Sequence, residues 1–297
     1  MRDKIKYGGL SGIELELEEF DLGEGVIIRK TFAHLFSPFM VAFSPPTKHG
    51  FHGGPWKGAK GGFGFDINIE VEVPEIKKFK RKFNQEDIIW LLSCLIRIGS
   101  APYAMASAIS DISFNIIPKE ENEPTITPFE YQPRIFRPLD GTKPIIKEKD
   151  LKWLKKHWIG TLKLMSERPH FDSALRAFDS ATIHGKTSSS LLSLWGAIEQ
   201  LFCPSPGELR FRVSSNLASY LKEPGEERYH LYKELLKLYN ERSCAAHSAK
   251  DIDHTPLVQT YVHLRNALLK MIQEEMVPNQ KSLESSLFNI EKPPNKT

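Results

Sequence analysis

Cysteine is scarce in this chain of 297 residues, and its positive and negative charges nearly balance. The three cysteines, Cys94, Cys203 and Cys244, are far apart and odd in number, which argues against a disulfide framework or a thiolate zinc site and favours a reducing compartment. Lys and Arg number 40 against 37 Asp and Glu, a formal net charge of +3. This balance does not by itself indicate a nucleic-acid partner, so that case depends on local clusters.

Long apolar runs are also missing. Residues 1–6 lack the apolar stretch of a signal peptide, and no later segment approaches the roughly 20 apolar residues of a membrane helix. We therefore expect a cytoplasmic protein with no membrane partner. The composition, 40% hydrophobic and 26% charged, is that of a chain able to bury the cores of two domains.

The first half of the chain alternates apolar and polar residues with a period of two. This alternation over 13–18 and again over 67–73 predicts half-buried strands. Between them, residues 49–64 are rich in glycine and predict a loop or a set of tight turns. Helical spacing of apolar residues over 86–98 adds an amphipathic helix, so this half is predicted to be α+β.

The second half carries stripes of apolar residues at helical spacing. Six prolines between 118 and 145 precede it and predict an extended connector. Stripes within 171–178, 191–202, 231–238 and 257–272, after a helix over 151–165, predict a small bundle. The expected fold class is an α+β domain at 1–145, an all-α domain at 146–278 and a flexible tail at 279–297.

One predicted helix places an arginine where its apolar stripe would continue. Leu231, Leu235 and Leu238 step by four and three residues, and the next step of four falls on Arg242. A guanidinium on a core or interface face needs a carboxylate, a phosphate or a partner subunit. Glu199, a polar member of the stripe on another helix, is the candidate carboxylate.

His247 follows Arg242 by five residues, a rise of about 7.5 Å along a helix, which lets both side chains reach one phosphate. On a regular helix the two point about 140° apart. They converge only where the helix ends near Ala246 or where the long arginine side chain reaches around. The spacing alone therefore leaves open a pair of solvated surface residues.

Residues 238–248, Leu-Tyr-Asn-Glu-Arg-Ser-Cys-Ala-Ala-His-Ser, resemble the signature helix of HEPN proteins, particularly those of the ApeA-like group. Residues 193–202 resemble the first conserved core helix of that family, and 208–213 resemble the segment that follows it. The helix predicted over 257–272 completes the bundle, so the resemblance covers about 170–276. Ser248 stands where many relatives have glycine, and this departure concerns how the helix ends.

The resemblance implies a composite active site, in which two protomers bring their Arg-x4-His motifs together across a dimer cleft. It implies that His247 moves protons at the ribose 2′-hydroxyl or the leaving 5′-oxygen, that Arg242 clamps the scissile phosphate, and that Ser243 orients the phosphate or the histidine. Such a reaction needs no metal and no cofactor, leaves a 2′,3′-cyclic phosphate and spares DNA. The implied function is an endoribonuclease that cleaves cellular RNA as an effector of antiphage defence or a toxin.

Six further basic and aromatic residues are candidate RNA contacts. They are Arg210, Arg212, Lys250, Trp56, Lys57 and Lys60. A solvated face explains Arg210 and Arg212 at least equally well, and a turn-rich hairpin explains Trp56, Lys57 and Lys60. His49 and His52 have no third ligand nearby, so no metal site is predicted.

Two other functions stay open. A HEPN fold without chemistry would dimerise and bind RNA or nucleotide. An enzyme in residues 1–145 is the weaker alternative, because that part shows no paired carboxylates, nucleophile elbow or cluster of metal ligands. We expect the N-terminal domain to recognise a trigger or a partner protein.

Overall fold

A computed structural model describes residues 5–136, 141–183, 185–203, 208–247 and 253–290. An antiparallel sheet in the N-terminal part is followed by a run of helices. This confirms the predicted order of an α+β N-terminal part and a helical C-terminal part. Within the described ranges, no helix is both long and apolar enough to span a bilayer.

The main sheet has six antiparallel strands in the order β3-β4-β5-β1-β6-β7. Its strands are β1 (Lys6–Ser11), β3 (Glu19–Gly23), β4 (Val26–Ala42), β5 (Trp56–Val73), β6 (Met105–Ser110) and β7 (Ile126–Pro128), while β2 (Glu14–Leu15) and β8 (Ile145–Ile146) pair in parallel apart from it. Ile67, Ile69, Val71 and Val73 are fully buried. The predicted alternation in this segment is therefore confirmed as a strand.

The prediction of a loop or turns over residues 49–64 is wrong from Trp56 onward. There β5 pairs with β4, with Phe36 opposite Gly64 and Met40 opposite Gly58. Ladder hydrogen bonds join backbone groups whatever the side chain, so a long partner strand outweighs the low strand propensity of glycine. At Gly62 a Cβ would lie 2.5 Å from the Ser37 carbonyl oxygen, so this close approach requires glycine.

The described residues form eight α-helices. They are α1 (Gln85–Gly99), α2 (Glu148–Glu167), α3 (Pro169–Ala181), α4 (Thr187–Phe202), α5 (Leu209–Leu221), α6 (Glu226–His247), α7 (His254–Glu274) and α8 (Gln280–Leu287). The four predicted stripes lie on α3, α4, α6 and α7. Helix α8 lies within the residues that were predicted to form a flexible tail. Asn279 and Ser282 form a capping box at its start, and Leu283 is buried. Residues 291–297 of that tail lie outside the described residues.

The chain divides into two compact units. Unit 1 comprises Met1–Ser93, Ala104–Tyr131 and Thr142–Leu151, and unit 2 comprises Cys94–Tyr103, Gln132–Gly141 and Lys152–Thr297. Both units are discontinuous in sequence. The division into independent domains at 145/146 stays a prediction.

Unit 2 buries a carboxylate between two arginines. The Arg97 guanidinium donates to both oxygens of Asp179, with Nε 2.6 Å from Oδ1 and Nη2 2.8 Å from Oδ2. Arg134 Nη1 lies 3.2 Å from the same Oδ1 and donates to the Thr182 hydroxyl at 2.6 Å. The three charged side chains are at most 5% exposed, so the charges depend on one another for compensation.

Candidate functional site

The candidate site lies on α4 and α6, which pack against each other in unit 2. Leu231, Leu235 and Leu238 of α6 are buried, which confirms the predicted stripe. One helical turn later the stripe reaches Arg242, whose side chain is 29% exposed. The arginine thus sits at the half-buried end of an apolar face.

Arg242 meets Glu199 across the two helices. Its Nη2 is 3.3 Å from Glu199 Oε1, and the Glu199 side chain is 20% exposed. The predicted contact between these residues is confirmed. Among the described residues, Arg242 Nε and Glu199 Oε1 are buried without a hydrogen-bond partner, so the two groups form an ion pair rather than an aligned hydrogen bond.

Tyr239 belongs to the same cluster and was not predicted. The guanidinium carbon of Arg242 lies 5.5 Å from the centre of the Tyr239 ring, and that ring packs edge-on against Trp195 with centroids 5.1 Å apart. Burial, and next the charge of Glu199, raise the pKa of the Tyr239 hydroxyl. Tyr239 precedes Arg242 by three residues, and this helical spacing was the signal that could have identified it.

Three buried polar atoms of this cluster are unsatisfied. Trp195 Nε1 is buried and, like Arg242 Nε and Glu199 Oε1, has no hydrogen-bond partner in the part of the chain that the structure describes. Each such atom costs about 1–3 kcal/mol of folding free energy. Buried atoms of this kind also occur away from the cluster, for example at Ser190 and Thr260, so the geometry of Arg242 and Glu199, and not the count of such atoms, defines the site.

The second half of the motif lies at the end of the helix. Helix α6 runs through Arg242 to His247, so the two residues lie on one continuous helix. Ser243 is half-buried beside Arg242. The His247 side chain and Lys250 lie outside the described residues, so the pairing of His247 with Arg242 stays a prediction.

The remaining candidate RNA contacts lie on two separate elements. Arg210 is exposed and Arg212 half-buried in the first turn of α5, in unit 2. Trp56, Lys57 and Lys60 are all exposed on β5, in unit 1. Their contact with RNA stays a prediction.

Metal ligands and known relatives add nothing to this geometry. Within the described ranges, no three His, Cys, Asp or Glu side chains come together as metal ligands. No family model, curated protein or solved structure matches the chain. The Arg242–Glu199 cluster and the residues that resemble the HEPN motif are therefore the features from which a function can be inferred.

Proposed function

We propose that the chain is a metal-independent endoribonuclease of the HEPN type that cleaves cellular RNA. The observation that carries the proposal is the position of Arg242. Its guanidinium is ion-paired with Glu199, and its side chain is still 29% exposed. A guanidinium that is held by a carboxylate and still reaches solvent is well suited to bind a phosphate diester in a fixed orientation.

The neighbours of Arg242 support the same role. The Tyr239 ring lies against the guanidinium, and its hydroxyl, whose pKa is raised by burial and by the charge of Glu199, adds no negative charge there. Arg242 therefore faces a single carboxylate, Glu199, within the cluster. An RNA phosphate would bring a second anion to the guanidinium, whose several donors can serve Glu199 and the phosphate together.

The chemistry divides between Arg242, Ser243 and His247. A histidine takes the proton of the ribose 2′-hydroxyl, whose oxygen attacks the phosphorus. The bond from phosphorus to the 5′-oxygen breaks, and a second histidine gives that oxygen a proton. Arg242 stabilises the charge on the phosphoryl oxygens, and Ser243 orients the phosphate. The products are a 2′,3′-cyclic phosphate and a 5′-hydroxyl, with no cofactor involved.

Two histidines in one reaction call for a second copy of the chain. In the proposed homodimer, the helix ends carrying Arg242 and His247 from two protomers form one site. The N-terminal unit recognises a trigger or a partner protein, and the enzyme acts in the cytoplasm as an effector of antiphage defence or as a toxin. The HEPN bundle itself is part of this proposal.

The proposal is tested with synthetic RNA in the presence of EDTA. The purified chain is incubated with a labelled RNA strand and, in parallel, with DNA and fully 2′-O-methylated strands of the same sequence. We expect cleavage of the RNA alone, with cyclic-phosphate ends. Cleavage of the methylated strand or loss of activity on chelation would contradict the mechanism. RNA that is bound but stays intact would favour a non-catalytic HEPN module.

A further inference from the structure

Residues 32–64, which we call the hairpin arm, form the outer part of β4 and β5 in unit 1. The arm exposes a series of large apolar side chains with exposed fractions from 47% to 74%. They are Phe32, Phe36, Phe39, Met40, Phe43, Phe51, Trp56 and Phe63. An exposed apolar surface of this extent is typical of a binding surface.

The arm carries no aspartate or glutamate, although it contains Lys48, Lys57 and Lys60. The next carboxylate along β5 is Asp66, at the base of the arm, whose Oδ1 is 2.9 Å from His34 Nδ1. Further down, Glu70 contacts Arg29 at 2.7 Å. Positive charge on the arm is therefore not offset by acidic residues, which favours an anionic partner.

The aromatic rings of the arm are arranged for stacking. His34 and Phe36 are two residues apart and therefore lie on the same face of β4. Their rings are stacked, with centroids 6.3 Å apart and 26° between the ring planes. Phe36 is 72% exposed, and a Cβ at Gly64 would lie 3.1 Å from His34 Nε2, so glycine at this position leaves the His34 ring uncovered. The pairing of β4 with β5 shifts register between Pro38 and Met40. There the nearest carbon atom of the Phe39 ring lies 3.5 Å from the position that a Cβ of Gly61 would take, so glycine also leaves this ring uncovered.

We propose that the hairpin arm binds single-stranded RNA, with bases stacking on Phe36 and Trp56 and phosphates contacting Lys57 and Lys60. Open aromatic rings beside exposed lysines are the combination that single-stranded nucleic acids require. The choice of RNA over DNA rests on the proposed function.

A lipid surface fits the arm less well than a nucleic acid. Insertion into a bilayer is driven by a continuous apolar face. In the outer part of β5, lysine and small residues, Lys57-Gly58-Ala59-Lys60-Gly61-Gly62, separate Trp56 from Phe63, which interrupts such a face. Lysines placed among the rings, rather than at one end of them, match a strand whose bases and phosphates alternate.

The test measures binding of the full chain to a fluorescent, single-stranded 2′-O-methyl RNA by anisotropy. This strand lacks the attacking hydroxyl, so binding is measured even if the ribonuclease proposal fails. We expect Phe36→Ala to weaken binding about tenfold, since one stacking contact is lost. The matched control Tyr131→Ala, an aromatic residue of unit 1 that is 68% exposed, leaves binding unchanged.

The lysines are tested through the dependence on salt. In the double variant Lys57→Gln, Lys60→Gln, the slope of log affinity against log salt decreases by about 1.4. The control Lys77→Gln, Lys119→Gln removes two exposed lysines elsewhere in unit 1 and leaves the slope unchanged. Absence of binding, or equal affinity of the arm and control variants, overturns the proposal. So does binding to phosphatidylserine vesicles that depends on Phe36 when RNA binding does not. Cleavage with cyclic-phosphate ends can still occur in each of these cases, so the two proposals fail separately.

Discussion

Arg242 Nη2 and Glu199 Oε1 lie 3.3 Å apart, on α6 and α4. The carboxylate contacts one end of the guanidinium, and the buried Nε has no hydrogen-bond partner among the described residues. Glu199 therefore orients the arginine without using all its donors. In the proposed ribonuclease, Glu199 is therefore a positioning residue and Arg242 is the residue that contacts the phosphate.

Substitution of Glu199 by Gln is expected to reduce RNA cleavage about tenfold and not to abolish it. Glutamine keeps the size of the side chain and loses the charge that orients Arg242. The pair is 20–29% exposed, so the free energy of unfolding should change by about 1 kcal/mol or less. Initial cleavage rates measure the effect, with the exposed neighbour Glu241→Gln as the control. A loss as complete as that of Arg242→Ala would place Glu199 in the reaction itself.

Substitution of Asp179 by Ala is expected to destabilise unit 2 by about 3–5 kcal/mol, because it leaves Arg97 and Arg134 buried without their shared carboxylate. Asp172→Ala is the control, since Asp172 forms an exposed i,i+4 pair with Arg176 at 2.9 Å, worth about 0.3–0.5 kcal/mol. Urea unfolding compares the two variants. Equal unfolding midpoints would show that the buried network contributes little.

The stability of unit 2 is expected to fall in mild acid because of His157. Burial, and next the charge of Lys156, lower the pKa of the buried His157 below its ordinary value of 6.5. The unfolded chain then binds a proton more readily than the folded chain. The contribution of neutral His157 is complete above pH 6.5 and is lost as the pH falls through the window between 6.5 and the lower folded pKa.

Unfolding free energies measured from pH 8 to pH 5 test this linkage. His157→Gln should flatten the decline, and the exposed His170→Gln should not. Each unit of pKa difference corresponds to about 1.4 kcal/mol. Parallel pH profiles for the original chain and His157→Gln would show that other groups cause the decline.

Local periodicity accounts for the part of the site that the sequence predicted. A repeat of four and three residues fixes which side of α6 is buried, so the placement of Arg242 after Leu238 followed from the chain alone. The same argument on α4 placed Glu199. Tyr239 was missed because its role depends on Trp195 and Arg242 together, and contacts between helices are not visible in a single stripe.

Helix α5 and the outer part of β5 were missed because their residues contradict local preference. Helix α5 buries Ser214, Ser215, Asn216 and Ser219, and small polar residues give no apolar stripe. Strand β5 begins among glycines, which are poor strand formers, and exists there because β4 supplies its backbone partners. In both cases tertiary packing outweighs the local signal.

The assignment of Arg242 and His247 as the catalytic pair is tested by the rate of RNA cleavage, with EDTA present, in Arg242→Ala and His247→Ala. Lys237→Ala and His230→Ala are matched controls, because they remove a cationic side chain and a histidine from exposed positions of the same helix. We expect each motif variant to lose at least about 100-fold in rate, and both controls to match the original chain. Cleavage that persists in both motif variants would contradict the assignment of Arg242 and His247 as the catalytic pair.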